Sequence, residues 1–297
     1  MNSYKKCNLC PRNCSINRLN SLGFCKSSNI VKVARSALYY FEEPSISSTN
    51  GSGTIFFSGC NLKCCYCQNI KISQYGVGKE ITIERLAEMI LELENKKANN
   101  INLVTPTHFV PSIIKAIKIA KNKGLSIPII YNTSGYESIE TLKLLDGYID
   151  IYLTDFKYFD NNLGEELSKC KNYFEVASKA LEEMYRQTGK NKFNQKGIMI
   201  KGIIVRCLIL PTKSNDTINI ISYLYKKYQN NIYLSIMNQY TPIIFNKEYP
   251  FLNEKVSDKE YNKVIDYTID LGITNAYIQI GNTCSESFIP PFDLEGV

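Results

Sequence analysis

Apolar positions along this chain fall into two alternating patterns. Short runs rich in β-branched residues read as strands: "GTIFF" (53–57), "INLVT" (101–105), "IPIIYN" (127–132), "YIDIYLTDF" (148–156), "GIIVRCLIL" (202–210), "IYLSIM" (232–237) and "NAYIQI" (275–280). Between them lie stretches of helical period at 82–98, 111–124, 138–147, within 172–189, and at 216–228 and 257–272. Thr82 stands where an N-cap belongs, and Pro111 and Gly124 bracket the second helix in the favoured order. Six or seven such βα units, with nearly continuous apolar strands, predict an α/β fold whose parallel sheet is covered by helices. An open doubly wound sheet and a full or partial barrel both satisfy the pattern. In each, the functional groups gather at the C-terminal ends of the strands.

Residues 1–50 do not share this pattern. They are rich in Asn and Ser, hold four cysteines, and run into "SSTNGSG" (47–53), which reads as a linker or turn. They are expected to form a small Cys-rich metal-binding N-terminal segment ahead of a main unit at 51–297. The aromatic run "ALYYF" (37–41) reads as barrel packing. At 297 residues the chain can bury a core without metal to staple it. The net charge of +7 comes from 35 Lys and Arg spread without a basic run, so nucleic-acid binding is not indicated. There is no Gly-rich phosphate loop of either common type.

The start lacks an apolar signal core, and no apolar run approaches the roughly 18 residues of a membrane span. The expected location is therefore the cytoplasm, free of the membrane. There the eleven cysteines serve metal or catalysis rather than disulfides. Cys170, Cys207 and Cys284 are isolated and read as small buried hydrophobes.

The other eight form two groups. In "FFSGCNLKCCYCQN" (56–69), Cys60, Cys64 and Cys67 follow a strand and a Gly turn with three- and two-residue gaps. Three thiolates on one loop suit a cubic iron–sulfur cluster with one iron left free of protein. A closed zinc site needs a fourth ligand, for which Cys65, adjacent to Cys64, is awkward and His108 distant in sequence. Upstream, Cys7, Cys10, Cys14 and Cys25 satisfy either a tetrahedral zinc or a second iron–sulfur cluster. A cluster there suggests electron relay, and zinc a structural staple. Arg206 interrupts an apolar strand and must be paired, either by an anionic ligand or by an internal carboxylate.

The C-x3-C-x2-C spacing with Tyr66 before the last Cys, directly after the first strand of a βα series, resembles the radical S-adenosylmethionine (SAM) superfamily. Further segments fall in order at successive strand ends: "NLVTPTH", "YNTSGY", "DIYLTDFKYF", "VRCLILP" and "MNQY". Together they resemble the branch of pyruvate formate-lyase-activating enzymes, and homologues with an N-terminal "CxLCPRxC". The resemblance implies a partial (β/α)6 TIM-like barrel, with a 4Fe-4S cluster on Cys60, Cys64 and Cys67. It implies SAM chelated at the open iron and cleaved reductively to a 5′-deoxyadenosyl radical that abstracts hydrogen. It also implies an electron donor of flavodoxin or ferredoxin type and a possible protein substrate on which a glycyl radical is installed. Modification of a peptide or small molecule is the rival within that family. A non-catalytic iron–sulfur protein and a zinc module compete from outside it.

By the same resemblance, Tyr66 contacts adenine. The place of an expected Gly-Gly-Glu reads Thr105-Pro106-Thr107-His108, so the SAM amino group falls to backbone carbonyls and the hydroxyls of Thr105 and Thr107. His108, the only histidine, is expected at this rim with a substrate or SAM role. Asn132 and Ser134 lie in "NTSG", which matches an Asp-Thr-Asn-Gly segment. Asp155 and Lys157 match Asp-Leu-Lys and point into the site, with Lys157 poised for the SAM carboxylate. Gln239 replaces a His, which leaves its role open.

Overall fold

A computed structural model describes residues 2–279 and 288–297. Ten strands occur in order among the described residues: β1 (Val31–Tyr39), β2 (Ser52–Phe57), β3 (Lys79–Ile81), β4 (Ile101–Val104), β5 (Ile129–Thr133), β6 (Ile151–Asp155), β7 (Lys192–Phe193), β8 (Met199–Leu208), β9 (Tyr233–Met237) and β10 (Ala276–Ile278). The helices are α1 (Pro44–Ser47), α2 (Ile70–Ser73), α3 (Ile83–Asn95), α4 (Val110–Asn122), α5 (Ile139–Leu144), α6 (Asn161–Ser168), α7 (Tyr173–Thr188), α8 (Ser214–Tyr228) and α9 (Asp258–Asp270). The sheet order is β10-β9-β8-β6-β5-β4-β2-β1-β3, and every neighbouring pair from β2 to β10 is parallel. This is an open, partial TIM-like barrel, in which each parallel strand meets the next through a covering helix. Thr82 caps α3 through its side chain, accepting from the Arg85 amide at 3.0 Å.

Strand alternation divides the apolar groups into two layers. Tyr131, Tyr152, Ile203 and Val205 point outward and pack with the helices in the large core. Ile130, Ile151, Leu153 and Ile204 point inward and form a second cluster inside the barrel. The same inward faces carry Asn132, Asp155 and Arg206 one step nearer the C-terminal ends, because side chains two apart share a face. The barrel mouth is therefore polar while its base is apolar.

Residues 31–51 take a course that the sequence reading did not foresee. β1 runs antiparallel between β2 and β3, with Tyr39 opposite Ser52 and Leu38 opposite Gly53. Beyond it the chain dips inside the barrel, and Ile46 packs fully buried on Ile130, Ile151, Leu153 and Ile204. Burying one such side chain contributes about 1.5–3 kcal/mol. Asn100 Nδ2 donates to the Ile46 carbonyl at 2.9 Å and Asn99 Nδ2 to that of Ser47 at 2.6 Å, which fixes the plug.

The Cys-rich stretch docks against the outside of the same mouth. Arg18 is fully buried and donates to the carbonyls of Ser27 (3.1 Å), Ser28 and His108 (2.6 Å). Arg12 donates to the carbonyls of Asn61 (2.8 Å) and Lys169, with its guanidinium 3.9 Å above the Phe24 ring. Cys170 and Cys207 are fully buried, as expected of isolated thiols, whereas Cys284 lies outside the described residues. Among the described residues no helix is long and apolar enough to cross a membrane.

Candidate active site

The cysteine loop begins where β2 stops. Gly59 turns the chain at φ +89°, and a Cβ there would stand 2.3 Å from Ser27 Oγ and 2.6 Å from the Cys25 carbonyl. Any side chain would push the N-terminal segment off the loop, so the glycine is required twice over. The loop is pinned by Asn61 Nδ2 donating to the Tyr136 carbonyl (2.7 Å) and the Cys65 amide donating to Leu167 (2.8 Å). The three expected ligand sulfurs each meet a hydrogen-bond partner. The Leu62 amide donates to Cys60 Sγ at 3.4 Å, Ser168 Oγ to Cys64 Sγ at 2.9 Å, and Ser73 Oγ lies 3.2 Å from Cys67 Sγ. Cys65 faces elsewhere, toward Asn246, Lys169 and Glu248.

Burial raises the Cys60 thiol well above its usual range, and the neighbouring Cys64 and Cys67 raise it further. Burial likewise pushes Cys64 up to about 11, although Lys157 pulls the other way. Three desolvated thiols in one another's field ionise readily only when a cationic centre arrives among them. Hydrogen bonds waiting at each sulfur suit thiolates bound to iron. The donor set therefore fits a 4Fe-4S cube.

Cys64 and Cys67 open onto a cavity of about 500 Å³. The expected residues Tyr66, Asn132, Asp155, Lys157, Arg206 and Gln239 line it as well. Asp155 and Arg206 are register partners on adjacent strands. Arg206 Nε donates to Asp155 Oδ1 at 2.8 Å, one terminal nitrogen donates to Asn132 Oδ1 at 2.6 Å, and the other reaches Glu42 Oε2 at 3.4 Å. Lys157 Nζ meets Asp155 Oδ2 at 2.7 Å. Burial raises the Asp155 carboxyl, but Arg206 and Lys157 outweigh it and hold the group below the usual carboxylate range. Burial lowers the Lys157 ammonium, yet Asp155 and the nearby Tyr66 and Cys64 lift it well above normal, so it stays charged. The partner of Arg206 is thus internal: two carboxylates and an amide take its hydrogen bonds.

Four expected residues are not on the cavity wall. Thr107 Oγ1 donates to the buried Glu137 at 2.6 Å. Ser134 presents its carbonyl to the Tyr173 hydroxyl at 2.7 Å. Thr105 holds the strand end with φ +57°, a left-handed backbone that is an outlier for a β-branched residue, and its amide donates to Asn132. His108 is only 1% exposed, rather than sitting at a rim. The 3-10 turn Thr107–Phe109 carries it inward, where Nε2 lies 2.8 Å from the Ser58 carbonyl and must donate. Burial, then Arg18, lowers its pKa to about 3. As the sole histidine it gives a single set of imidazole proton resonances, which should not move between about pH 5 and pH 8. A midpoint inside that window would place the ring in solvent.

Sequence reasoning missed the wall opposite the cysteines. Glu42, Glu43 and Tyr39 line the cavity from the chain entering the plug, and Gln279, Phe288 and Pro290 from the C-terminal side. Glu42 accepts from Asn102 Nδ2 at 2.8 Å and Asn132 Nδ2 at 3.4 Å, and burial raises its pKa to about 7 despite Arg206. A pair of Glu before a Pro reads as a solvated turn, and only the pairing of β1 with β2 carries it inside.

Cys7, Cys10 and Cys25 are buried and Cys14 is partly exposed. Burial pushes Cys10 up to about 12. Among the described residues no three Cys, His, Asp or Glu side chains converge as the ligands of one ion. A cube holds each thiolate on a different iron, so its sulfurs stand farther apart than the ligands of a single tetrahedral ion.

An open parallel barrel with three clustered thiols after its first parallel strand, beside a cavity crossed by buried ion pairs, defines a class of cluster-bearing α/β enzymes. The family model for the radical SAM superfamily matches residues 54–203. The chain is similar to an uncharacterized protein of Methanocaldococcus jannaschii, at 32% identity over 91% of this chain and 77% of the relative. It is also similar to the pyruvate formate-lyase-activating enzyme of Clostridium pasteurianum, at 24% identity over 71% of this chain and 87% of that enzyme. Among solved structures, Streptococcus suis SuiB bound to S-adenosylmethionine shares the fold with a TM-score of 0.50 at 12% identity, covering 75% of this chain and 49% of that one. The chain thus spans about half the length of that structure. This protein belongs to the radical SAM superfamily. Membership implies a 4Fe-4S cluster, SAM and a source of electrons.

Proposed function

We propose that Cys60, Cys64 and Cys67 hold the cluster, that the adjoining cavity seats SAM, and that the chain is an oxidoreductase generating an organic radical for hydrogen abstraction. The observation that carries this is the opening of hydrogen-bonded thiols directly onto a cavity with its own buried charges. Bound there, the cluster and SAM would supply one-electron reductive cleavage of the sulfonium and, through it, hydrogen abstraction from the substrate. The chain's residues bind and orient. Lys157, held by Asp155 beside Cys64, offers a cation for the SAM carboxylate. Tyr66 offers a ring to adenine, and its hydroxyl is fixed 2.6 Å from that of Tyr158. Phe41 and Phe288 meet edge to face at 5.1 Å on the cavity wall. Titration calorimetry of the anaerobically reconstituted protein with SAM tests the seat: Lys157→Met should weaken binding at least about tenfold. Unchanged affinity would remove Lys157 from the role.

Similarity to the activating enzyme of Clostridium pasteurianum supports a protein substrate on which a glycyl radical is installed. The absence of an acidic residue at 105–108, together with Gln239, favours modification of a peptide or small molecule as the second reading. A flavodoxin- or ferredoxin-type donor in the cytoplasm would supply the electron. The Cys-rich stretch within residues 1–50 would hold a second iron–sulfur cluster on Cys7, Cys10, Cys14 and Cys25, whose thiols do not converge on a single ion.

Ser168 links the cavity to the cluster loop. Its hydroxyl bonds Cys64 Sγ and also lies 2.5 Å from the Tyr158 hydroxyl, which in turn contacts Tyr66. A donor to a ligand sulfur stabilises the more negative, reduced state. Ser168→Ala should lower the cluster's reduction potential by an amount on the order of tens of millivolts, read by a redox titration followed by EPR. A potential equal to wild type would show that the bond does not reach the cluster.

A further inference from the structure

We propose that the cavity wall built by Glu42 and Glu43 recognises a cationic nitrogen group of the substrate, an ammonium or a guanidinium. The inference rests on the reading that this cavity seats SAM together with a substrate. It starts from charge. Three carboxylates, Glu42, Glu43 and Asp155, and two cations, Arg206 and Lys157, are the ionisable Asp, Glu, Lys and Arg groups among the described residues lining the cavity. Both cations are committed: Lys157 to Asp155, and Arg206 to Asp155, Asn132 and Glu42. Glu43 is left without a cation of its own.

Its geometry shows the same deficit. Glu43 is 8% exposed, and its Oε2 is buried without a hydrogen-bond donor among the described residues. The residue stands at the N-cap position of α1, but its side chain makes no capping bond and faces the cavity instead. The amide oxygen of the buried Asn102, whose nitrogen holds Glu42, also lacks a donor among the described residues. Buried acceptors are rarely left unsatisfied, and a buried carboxylate least of all, unless a ligand brings the partner. Tyr39, Phe41, Tyr277 and Phe288 line the same part of the cavity. Aromatic faces beside a carboxylate suit an ammonium or guanidinium and give nothing to a second anion.

The backbone of this wall enters from the far end of β2, although the Glu42 carboxylate reaches Asn132 and Arg206 nearer the mouth. Glu43 follows Tyr39, which pairs with Ser52 at the start of β2, whereas the cysteines follow Phe57 at its end. That strand spans about 17 Å. The sulfonium of SAM carries no N–H, its α-ammonium shares a carbon with the carboxylate assigned to Lys157, and its adenine amino group belongs to the ring assigned to Tyr66.

The test titrates the reconstituted protein by calorimetry, with and without SAM, using N-acetyl-lysinamide, N-acetyl-argininamide and the neutral N-acetyl-norleucinamide. At least one cationic probe should bind at least about tenfold more tightly than the neutral one, and Glu43→Gln should erase that preference while SAM affinity stays unchanged. Binding confined to the lysine or to the arginine probe assigns the ammonium or the guanidinium. Equal affinity for the neutral probe, no binding of either cation, or a preference that survives in Glu43→Gln would overturn the proposal. So would a loss of SAM affinity in the variant with the probes unaffected, which would give Glu43 to the cofactor. Failure of wild type to bind SAM at all would instead sink the reading beneath it, and the titrations without SAM would still decide the role of Glu43. The wild-type comparison of probes stands even if the variant does not fold.

Discussion

Cys64→Ala is expected to abolish reductive cleavage of SAM, with 5′-deoxyadenosine falling by more than about 100-fold, since losing even an outer-shell partner of a metal costs 10–100-fold. Cys64 is the central thiol of the three, bonded by Ser168 and facing both the cavity and Lys157. Without it a cube keeps only two protein thiolates, and iron content and visible absorbance should fall together. The barrel should survive, because the side chain sits on a loop pinned by Asn61 and Cys65 backbone contacts that alanine leaves intact. Cys65→Ala provides the control, as its sulfur faces Asn246 and Glu248. The measurement is anaerobic reconstitution, dithionite reduction and chromatographic quantitation of 5′-deoxyadenosine. Product from Cys64→Ala equal to wild type would falsify the cluster assignment.

The largest stability effect is expected at Arg206. Arg206→Met fills similar space but leaves Asp155 and Glu42 in a buried cavity without their shared cation, and breaking such a network costs roughly 3–5 kcal/mol. The loss should depend on pH. In the wild type the Glu42 carboxyl is raised from 4.5 to about 7, so the folded state binds its proton more tightly than the unfolded chain does. Its stabilising contribution is therefore present below 4.5 and disappears as pH rises through about 7. Asp155 has the opposite sign: its carboxyl is depressed below 3.8, and its contribution is present above that value and lost on acidification. Removing Arg206 raises both carboxyls, so the variant should lose more stability at pH 8 than at pH 6. Urea unfolding at the two values measures this, and adding Asp155→Asn should restore part of the loss, because the two sites share partners. A deficit under about 1 kcal/mol, equal at both values, would show that solvent, not Arg206, balances these carboxylates.

The parts of this site that are legible in the sequence share a physical property: they are local. Cys60, Cys64 and Cys67 lie in one loop, so spacing alone places three sulfurs together. Asp155, Lys157 and Arg206 announce themselves as charges ending or interrupting apolar strands, where burial demands a partner. His108 was legible as unusual but not as buried, because a single 3-10 turn decides whether it faces the rim or the interior. Thr107 and Ser134 were placed by motif position, and their immediate contacts are with Glu137 and Tyr173. β1 escaped notice because its inward and outward positions mix Lys, Arg, Ser and Ala with the apolar residues, a pattern that becomes a strand only when β2 and β3 flank it.

By itself the sequence determined the parallel βα order, the thiol triad at its first strand end and the need for a partner at Arg206. Periodicity and short spacings encode these within a few residues. Only the tertiary structure decided who that partner is and what closes the barrel from within. Arg206 and Glu42 lie 164 positions apart, and Ile46 reaches Ile204 through an antiparallel strand that reverses the chain into the barrel. Burial sets the energy of such contacts, and burial belongs to the assembled fold rather than to any one stretch of chain.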